Sequence, residues 1–316
     1  MLQARVLKKT REAVDIQSLE LGSVDGSALP PFTPGAHIDV HVTPNIIRQY
    51  SLLNGPAETA VYRIAVKLEP QSRGGSRRVH DDIQVGQVIT ISAPRNNFPL
   101  HADAPFSLLL AGGIGITPIL GMARHLQAQG RPFALHYFTR APEHTAFRAL
   151  LAESGMATSV HFHEGVEFAQ VESRLHEILG ARGEGAHLYM CGPRPLMDLV
   201  AALSASWPSD AVHREDFSVD PTALMQEGDT FKVKLARSGG TYEVPAGESI
   251  VDVLARHGIE VNVSCQQGIC GTCLTAVLEG TPDHRDMYLT DDEKEEGRQM
   301  TPCISRSKTP LLVLDL

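Results

Sequence analysis

A chain of 316 residues with 42% hydrophobic and 21% charged residues has a globular composition and enough length for two or three separate cores. Its formal net charge of −9 argues against nucleic-acid or anionic-membrane partners, while a basic protein surface remains open to it. No window approaches about 18 consecutive apolar residues and the opening MLQARVLKKTREAVD lacks an apolar signal core, so a cytoplasmic protein without membrane contact is expected.

Residues 1–103 read as β-rich. Apolar and polar positions alternate over 38–42, 61–66 and 88–92, with Gly and Pro between the runs, and strands this short suggest a closed barrel or sandwich, taken here as an antiparallel barrel. One run ends in Arg48-Gln49-Tyr50-Ser51-Leu52. A second leads through Ala65-Val66-Lys67 to Arg73-Gly74-Gly75-Ser76, which opens a short polar helix. Glycines ahead of a helix present free N–H groups and a positive dipole end, a place for a phosphate or an ordinary surface turn.

The pattern changes near Pro105. Residues 107–111 form a continuous apolar run, as in a buried parallel strand, and a helix is expected from Pro118 to about 129. Further buried strands are expected over 133–139 and 186–191, alternating with helices near 144–154, 171–180 and 194–206. Such alternation predicts an α/β domain over 104–220 with a parallel sheet covered on both faces. The first turn is Gly112-Gly113-Ile-Gly115-Ile-Thr117-Pro118. Thr117 is placed as the helix N-cap and Pro118 at the first helical position, while the glycines let a dinucleotide backbone approach. Cys191 ends the third strand and is followed by Gly192-Pro193. A lone strand cysteine is commonly a core residue, but this one lies where parallel sheets open their ligand crevice. Glu215-Asp-Phe217 closes the domain.

Residues 221–230 belong to a polar stretch without periodicity and are read as a linker. From residue 231 a hairpin (231–235 and 241–244, turning at Gly239-Gly240) and a short helix near 249–257 lead into a cysteine loop. The charge run 291–296 reads as a solvated helix start.

Four of the five cysteines fall after residue 264, which favours metal or redox chemistry over disulfides in a reducing compartment. Cys265, Cys270 and Cys273 have C-x4-C-x2-C spacing and Cys303 follows just before a final apolar run. This is the plant-type [2Fe–2S] pattern, whereas zinc would usually show two short paired knuckles. Gly268 and Gly271 permit the tight turns that wrap a cluster and bring backbone N–H groups near its sulfurs.

Residues 231–316 resemble the plant-type ferredoxins in their hairpin, helix and cluster loop, implying an α+β β-grasp domain. Arg48-x-Tyr50-Ser51-Leu52 and the GGxGxTP turn resemble the ferredoxin-NADP reductase superfamily. That resemblance implies a flavin site: Arg48 neutralises the phosphate, Tyr50 lies along the ring and Ser51 bonds near its reactive nitrogen. Gln49, Ala65, Val66, Lys67, Arg73, Gly74, Gly75, Ser76, Thr117 and Phe217 complete it. Gly112, Gly113, Gly115, Thr117, Arg140, Gly192 and Pro193 are implied for NAD. Cys191 is implied beside the nicotinamide ring, and with Ser51 and Glu215 it would position the reacting rings, not act as an acid, base or nucleophile.

In the order flavin, nicotinamide, ferredoxin, the whole chain resembles the phthalate dioxygenase reductase family. This implies a multidomain protein using FMN, NADH and a [2Fe–2S] cluster, acting as a monomer that passes electrons to a Rieske-type oxygenase. The residues alone leave FAD open, and Arg140 leaves NADPH open because it could meet a 2′-phosphate. A free-standing NADH:acceptor reductase and a redox-sensing or electron-storage module are the alternative readings. The fourteen histidines show no HxxxH or HExxH spacing and are expected on the surface or in satisfied core positions.

Overall fold

The computed structural model describes residues 1–43, 46–70, 74–153, 155–181, 183–217, 228–263 and 265–316. Arg73 of the RGGS string and positions 221–227 of the expected linker lie outside the described residues. Contacts divide the chain into two compact units, Met1–Val42 with Tyr50–Phe217, and Thr43–Gln49 with Ser218–Leu316. Among the described residues no helix is long and apolar enough to cross a membrane.

The N-terminal part contains β1 (Leu2–Ala13), β2 (Ile16–Ser23), β3 (His37–Thr43), β4 (Ile46–Ser51), β5 (Val61–Lys67), α1 (Gly75–Asp81) and β6 (Val88–Ile91). The strands form one sheet in the order β4-β3-β6-β1-β2-β5, with antiparallel neighbours from β3 through β5. Just beyond β4, Leu53 N–H donates to the Arg63 carbonyl of β5 at 3.0 Å, so the sheet curls back on itself. Val6, Leu19, Leu21, Ile38, Val40, Ile64 and Ile91 fill the interior of this antiparallel barrel. The two longest strands, β1 and β2, escape a reading by alternation because β1 carries Lys8, Lys9, Arg11 and Glu12. One of these charges has structural work: Lys9 Nζ donates to the carbonyls of Val79, His80 and Ile83 at 3.1, 2.6 and 2.8 Å, closing the end of α1.

The next part contains β7 (Ser107–Gly112), α2 (Ile116–Ala128), β8 (Phe133–Thr139), α3 (Arg148–Glu153), β9 (Val160–Glu164), α4 (Phe168–Gly180), β10 (His187–Cys191), α5 (Arg194–Leu203) and β11 (Val212–Glu215). Its sheet is wholly parallel in the order β11-β10-β7-β8-β9. Every residue of β7 is buried, as its apolar run predicts. α2 begins two residues earlier than expected. Gly115 is its N-cap and the Thr117 hydroxyl donates to the Ile114 carbonyl at 3.1 Å, because a 3-10 turn over Gly113–Gly115 runs straight into the helix. The Thr117 cap and the Pro118 first-position assignment are therefore corrected. Barrel and α/β part share one core in which Leu53, Ala65 and Phe98 pack with Leu109, Ile119, Leu120 and Met122.

The structure gathers histidines that the sequence scatters. His136 and His161 are direct neighbours across β8 and β9 and stack at 4.7 Å, with His136 Nδ1 and His163 Nε2 sharing a hydrogen bond of 3.0 Å. Burial first, then the neighbouring imidazoles, push His136 down to about 3. An imidazole depressed in this way contributes stability above its ordinary value of 6.5, and that stability is lost as pH falls toward the folded value. His136→Asn is expected to narrow its stability gap to the parent protein between pH 7 and pH 5 by about 1–2 kcal/mol, allowing for solvent screening. Chemical denaturation at the two pH values measures this; a gap independent of pH would remove His136 from the acid response.

The second unit contains β12 (Phe231–Leu235), β13 (Thr241–Val244), α6 (Ile250–Arg256), β14 (Thr275–Glu279), β15 (Pro282–Asp283), α7 (Asp291–Glu296), β16 (Gln299–Met300), β17 (Arg306–Ser307) and β18 (Leu311–Leu314). The main sheet runs β13-β12-β18-β14-β16 with β12 and β18 parallel, a β-grasp arrangement over Val233, Leu235, Ile250, Leu254 and Leu312. The Ser249 hydroxyl caps α6 by accepting from Asp252 N–H at 3.0 Å. The charge run forms α7 under a Thr290–Glu293 capping box.

Candidate active site

The strand order of the parallel sheet reverses between β7 and β10, and their C-terminal ends form the crevice in which such sheets hold ligands. Two close backbone approaches shape it. A Cβ on Gly112 would lie 2.6 Å from Pro193 Cδ, and one on Gly115 would overlap the Cys191 carbonyl and sit 2.7 Å from Gly192 N. Gly113 differs: it has φ +53 and open space where a side chain would be, while its carbonyl accepts from Tyr137 OH at 3.0 Å. This open cradle fits a dinucleotide backbone approaching a helix start. Arg140 lies exposed just beyond β8.

Cys191 and Glu215 are direct neighbours at the ends of β10 and β11, and the Glu215 carboxyl shares a hydrogen bond with the buried Ser51. The structure thus brings together the three residues expected to position the reacting rings. Glu215 retains some exposure as a residue, but its Oε2 is sealed from solvent and has no partner among the described residues. Burial drives its carboxyl up to about 8, with the Ser51 contact pulling it down and Asp216 adding to the rise. It is therefore protonated near neutral pH. Burial, then Glu215 and Asp216, push the Cys191 thiol well above its ordinary range, which leaves it a poor nucleophile.

On the flavin side, β4 carries Arg48, Gln49, Tyr50 and Ser51 in succession. Gln49 Nε2 is buried without a partner among the described residues, an orphaned donor that fits a polar group of a ring or its phosphate. Ala65 and Val66 lie in β5 with their side chains in the core, so contact with a ligand would fall to their backbone. Lys67 pairs with Glu69 at 2.6 Å. Gly74 caps α1 with Gly75 as its first residue, and Ser76 Oγ accepts from Glu69 N–H at 3.1 Å, so that hydroxyl already holds the turn. Phe217 is exposed.

In the second unit Cys265, Cys270, Cys273 and Cys303 are all buried and unbridged. Their thiols meet pairwise, Cys265 with Cys270 and with Cys303, and Cys273 with Cys303. Among the described residues no three ligating side chains converge on a single ion, and a two-iron cluster instead divides its protein ligands between its irons. Cys303 is pushed up to about 12: Cys265 opposes the shift, while Cys273 and burial drive it. Four soft sulfur ligands gathered in one buried loop and the adjoining turn are a donor set that fits the expected cluster. Gln267 N–H points at Cys265 Sγ at 3.3 Å and Gly268 N–H at Cys303 Sγ. Gly271 has φ +64 and lies against the Tyr288 ring. Sequence reading missed Asp286 and Tyr288, which brace this loop from a charged stretch whose only signal is the apolar interruption Met287-Tyr288-Leu289.

Residues 233–308 match the 2Fe-2S iron-sulfur cluster binding domain, and residues 109–202 match the oxidoreductase NAD-binding domain. The chain is 48% identical to vanillate O-demethylase oxidoreductase of Pseudomonas putida over 100% of both chains. It is 43% identical to phthalate dioxygenase reductase of Burkholderia cepacia over 100% of this chain and 97% of the relative. A solved phthalate dioxygenase reductase, described as a modular structure for electron transfer from pyridine nucleotides to [2Fe-2S], superimposes with a TM-score of 0.74 at 42% identity, covering 100% of this chain and 98% of that one. Fold, crevice and thiol loop together define an NADH-dependent iron–sulfur flavoprotein oxidoreductase. Its matched domains are those that bind a [2Fe–2S] cluster and NAD. The chain belongs to the phthalate dioxygenase reductase family.

Proposed function

We propose that this chain is the reductase component of a two-component Rieske-type oxygenase, working as a cytoplasmic monomer on behalf of an enzyme that hydroxylates an aromatic ring or removes an O-methyl group. The observation that carries the proposal is the presence on one chain of a nicotinamide crevice and a buried cluster of four thiols, together with full-length relatives named for vanillate and phthalate systems. Residues 1–103, 104–220 and 231–316 would be the FMN, NAD and ferredoxin domains, joined by the linker 221–230.

A flavin is required between donor and cluster because it can take up two electrons together and release them singly. The chain's residues supply orientation. Gly112, Gly113 and Gly115 admit the dinucleotide, with Arg140, Gly192 and Pro193 bordering it. Arg48, Gln49, Tyr50, Ser51 and the turn around Gly74 to Ser76 would hold the flavin. Ser51, Cys191 and Glu215 set the ring positions and keep a proton, not a charge, beside them. Cys265, Cys270, Cys273 and Cys303 are the proposed iron ligands. A plant-type cluster near roughly −400 mV lies well below a Rieske centre at about −150 mV or above, and each ~59 mV is tenfold for one electron, so transfer outward is strongly downhill.

Adding a purified Rieske oxygenase and its aromatic substrate to the chain and NADH is expected to give hydroxylation or demethylation coupled to NADH use. NADH oxidation with small acceptors but no coupled product from any vanillate- or phthalate-type oxygenase would favour a free-standing reductase. The pH dependence tests Glu215 separately. As pH passes about 8 its carboxyl ionises, placing an unpaired buried negative charge beside an anionic dinucleotide, so the KM for NADH is expected to rise. In Glu215→Gln the rise should vanish; an inflection that survives would belong to another group.

A further inference from the structure

The second unit holds a buried carboxylate that the electron path does not use. Asp286 is 4% exposed. Its Oδ2 accepts from Tyr288 N–H at 3.2 Å and Leu289 N–H at 2.8 Å, and its Oδ1 accepts from the Ser305 hydroxyl at 3.1 Å. Ser305 Oγ also accepts from Arg285 N–H at 3.2 Å and lies 3.2 Å from Thr301 Oγ1. Thr301 and Ser305 flank Cys303 on both sides and are tied to each other by Ser305 N–H to the Thr301 carbonyl at 3.0 Å.

The same carboxylate reaches the other ligand-bearing segment through its backbone. Met287 N–H donates to the Gly268 carbonyl at 3.0 Å. A Cβ on Gly268 would stand 2.9 Å from Asp286 Cα, so nothing larger than hydrogen separates the two chains there. Gly268 lies between Cys265 and Cys270, and its own N–H points at Cys303 Sγ. Asp286 thus joins the Cys265–Cys273 loop to the turn that carries Cys303.

The carboxylate accepts from three donors, two backbone N–H groups and one hydroxyl, none of which carries a charge. Among the described residues its single ion-pair contact is His284 Nδ1 at 3.6 Å. Burial lowers the pKa of that imidazole against the opposing pull of Asp286, which favours its neutral form. A fixed negative charge in a poorly screened interior disfavours the addition of an electron nearby, and cluster potentials respond to local charge and to hydrogen bonding around the sulfurs.

We infer that Asp286 is a positioning residue of the cluster loop that also holds the reduction potential of the cluster down. The inference rests on the assignment of Cys265, Cys270, Cys273 and Cys303 as ligands of a [2Fe–2S] centre. Asp286→Asn preserves shape and one carbonyl acceptor while removing the charge. In the intact chain it is expected to keep the iron content of the parent and to shift the cluster's reduction equilibrium about tenfold toward the reduced form, a rise of ~59 mV for one electron. Ser305→Ala keeps the charge and removes one of its donors, and is expected to shift the equilibrium about two- to threefold the other way. Distortion of the loop alone would move both variants in one direction. An iron-loaded Asp286→Asn protein titrating at the parental potential overturns the inference. If that variant loses iron, a Ser305→Ala potential at or above the parental value overturns it instead. Absence of a two-iron signal from the parent chain would overturn the ligand assignment and the inference with it, whereas a loaded parent with an unmoved Asp286→Asn potential overturns the inference alone.

Discussion

Cys270→Ser is expected to abolish the cluster, leaving a protein whose flavin NADH still reduces but which passes no electrons to a partner. A serine hydroxyl cannot replace a soft thiolate, and the remaining three thiols crowd one another without a complete set of ligands. Gly271→Ala should reach nearly the same end by a different route. At φ +64 a side chain costs about 1–2 kcal/mol, and a Cβ there would overlap the Tyr288 ring, adding about 1–3 kcal/mol of overpacking. That cost falls on the two-residue span between Cys270 and Cys273. Iron content and the visible spectrum read the cluster, and anaerobic bleaching by NADH reads the flavin. Loss of flavin reduction in Cys270→Ser would contradict separable electron-transfer steps. Full iron in Gly271→Ala would show that the Tyr288 ring gives way.

Gly115→Ala and Gly113→Ala should separate folding from dinucleotide binding within one turn. A methyl on Gly115 would overlap the Cys191 carbonyl and press on Gly192 N at 2.7 Å, and backbone atoms cannot move aside as a flexible side chain can. The start of α2 must then back away from the end of β10. The expected result is a loss of about 2–4 kcal/mol in stability and a KM for NADH raised more than about tenfold, with iron content unchanged. Gly113 faces open space, so its alanine variant costs only the left-handed strain of about 1–2 kcal/mol. Its methyl would instead occupy the space proposed for the dinucleotide, so KM should rise while the melting temperature falls by less than in Gly115→Ala. Equal KM values for Gly113→Ala and the parent would place the dinucleotide elsewhere.

The elements most legible in the sequence are those whose local physics suffices. The apolar run of β7, the hairpin of β12 and β13 and the helix α7 follow from burial on both faces, period-two alternation and a solvated charge run. β1 and β2 were less legible because their charged face obscures the period, as with Lys9, whose three carbonyl partners lie in and just after α1. The start of α2 depended on a 3-10 turn that the pairing of Thr117 with Pro118 does not reveal.

By itself, then, the sequence determined the chemistry available to this protein. Thiolate spacing selects the cluster, and strand–Gly–helix turns select a nucleotide, because ligand softness and free N–H groups are properties of residues a few positions apart. Only the tertiary structure decided which distant groups share one environment. It sets Ser51 and Cys191 against Glu215 and so keeps a carboxyl protonated near neutral pH. It stacks His136 on His161 and brings Asp286 beneath the loop that carries three of the four thiols. Proton affinity and charge near a redox centre depend on burial and on neighbours brought from far along the chain, and no local pattern encodes either.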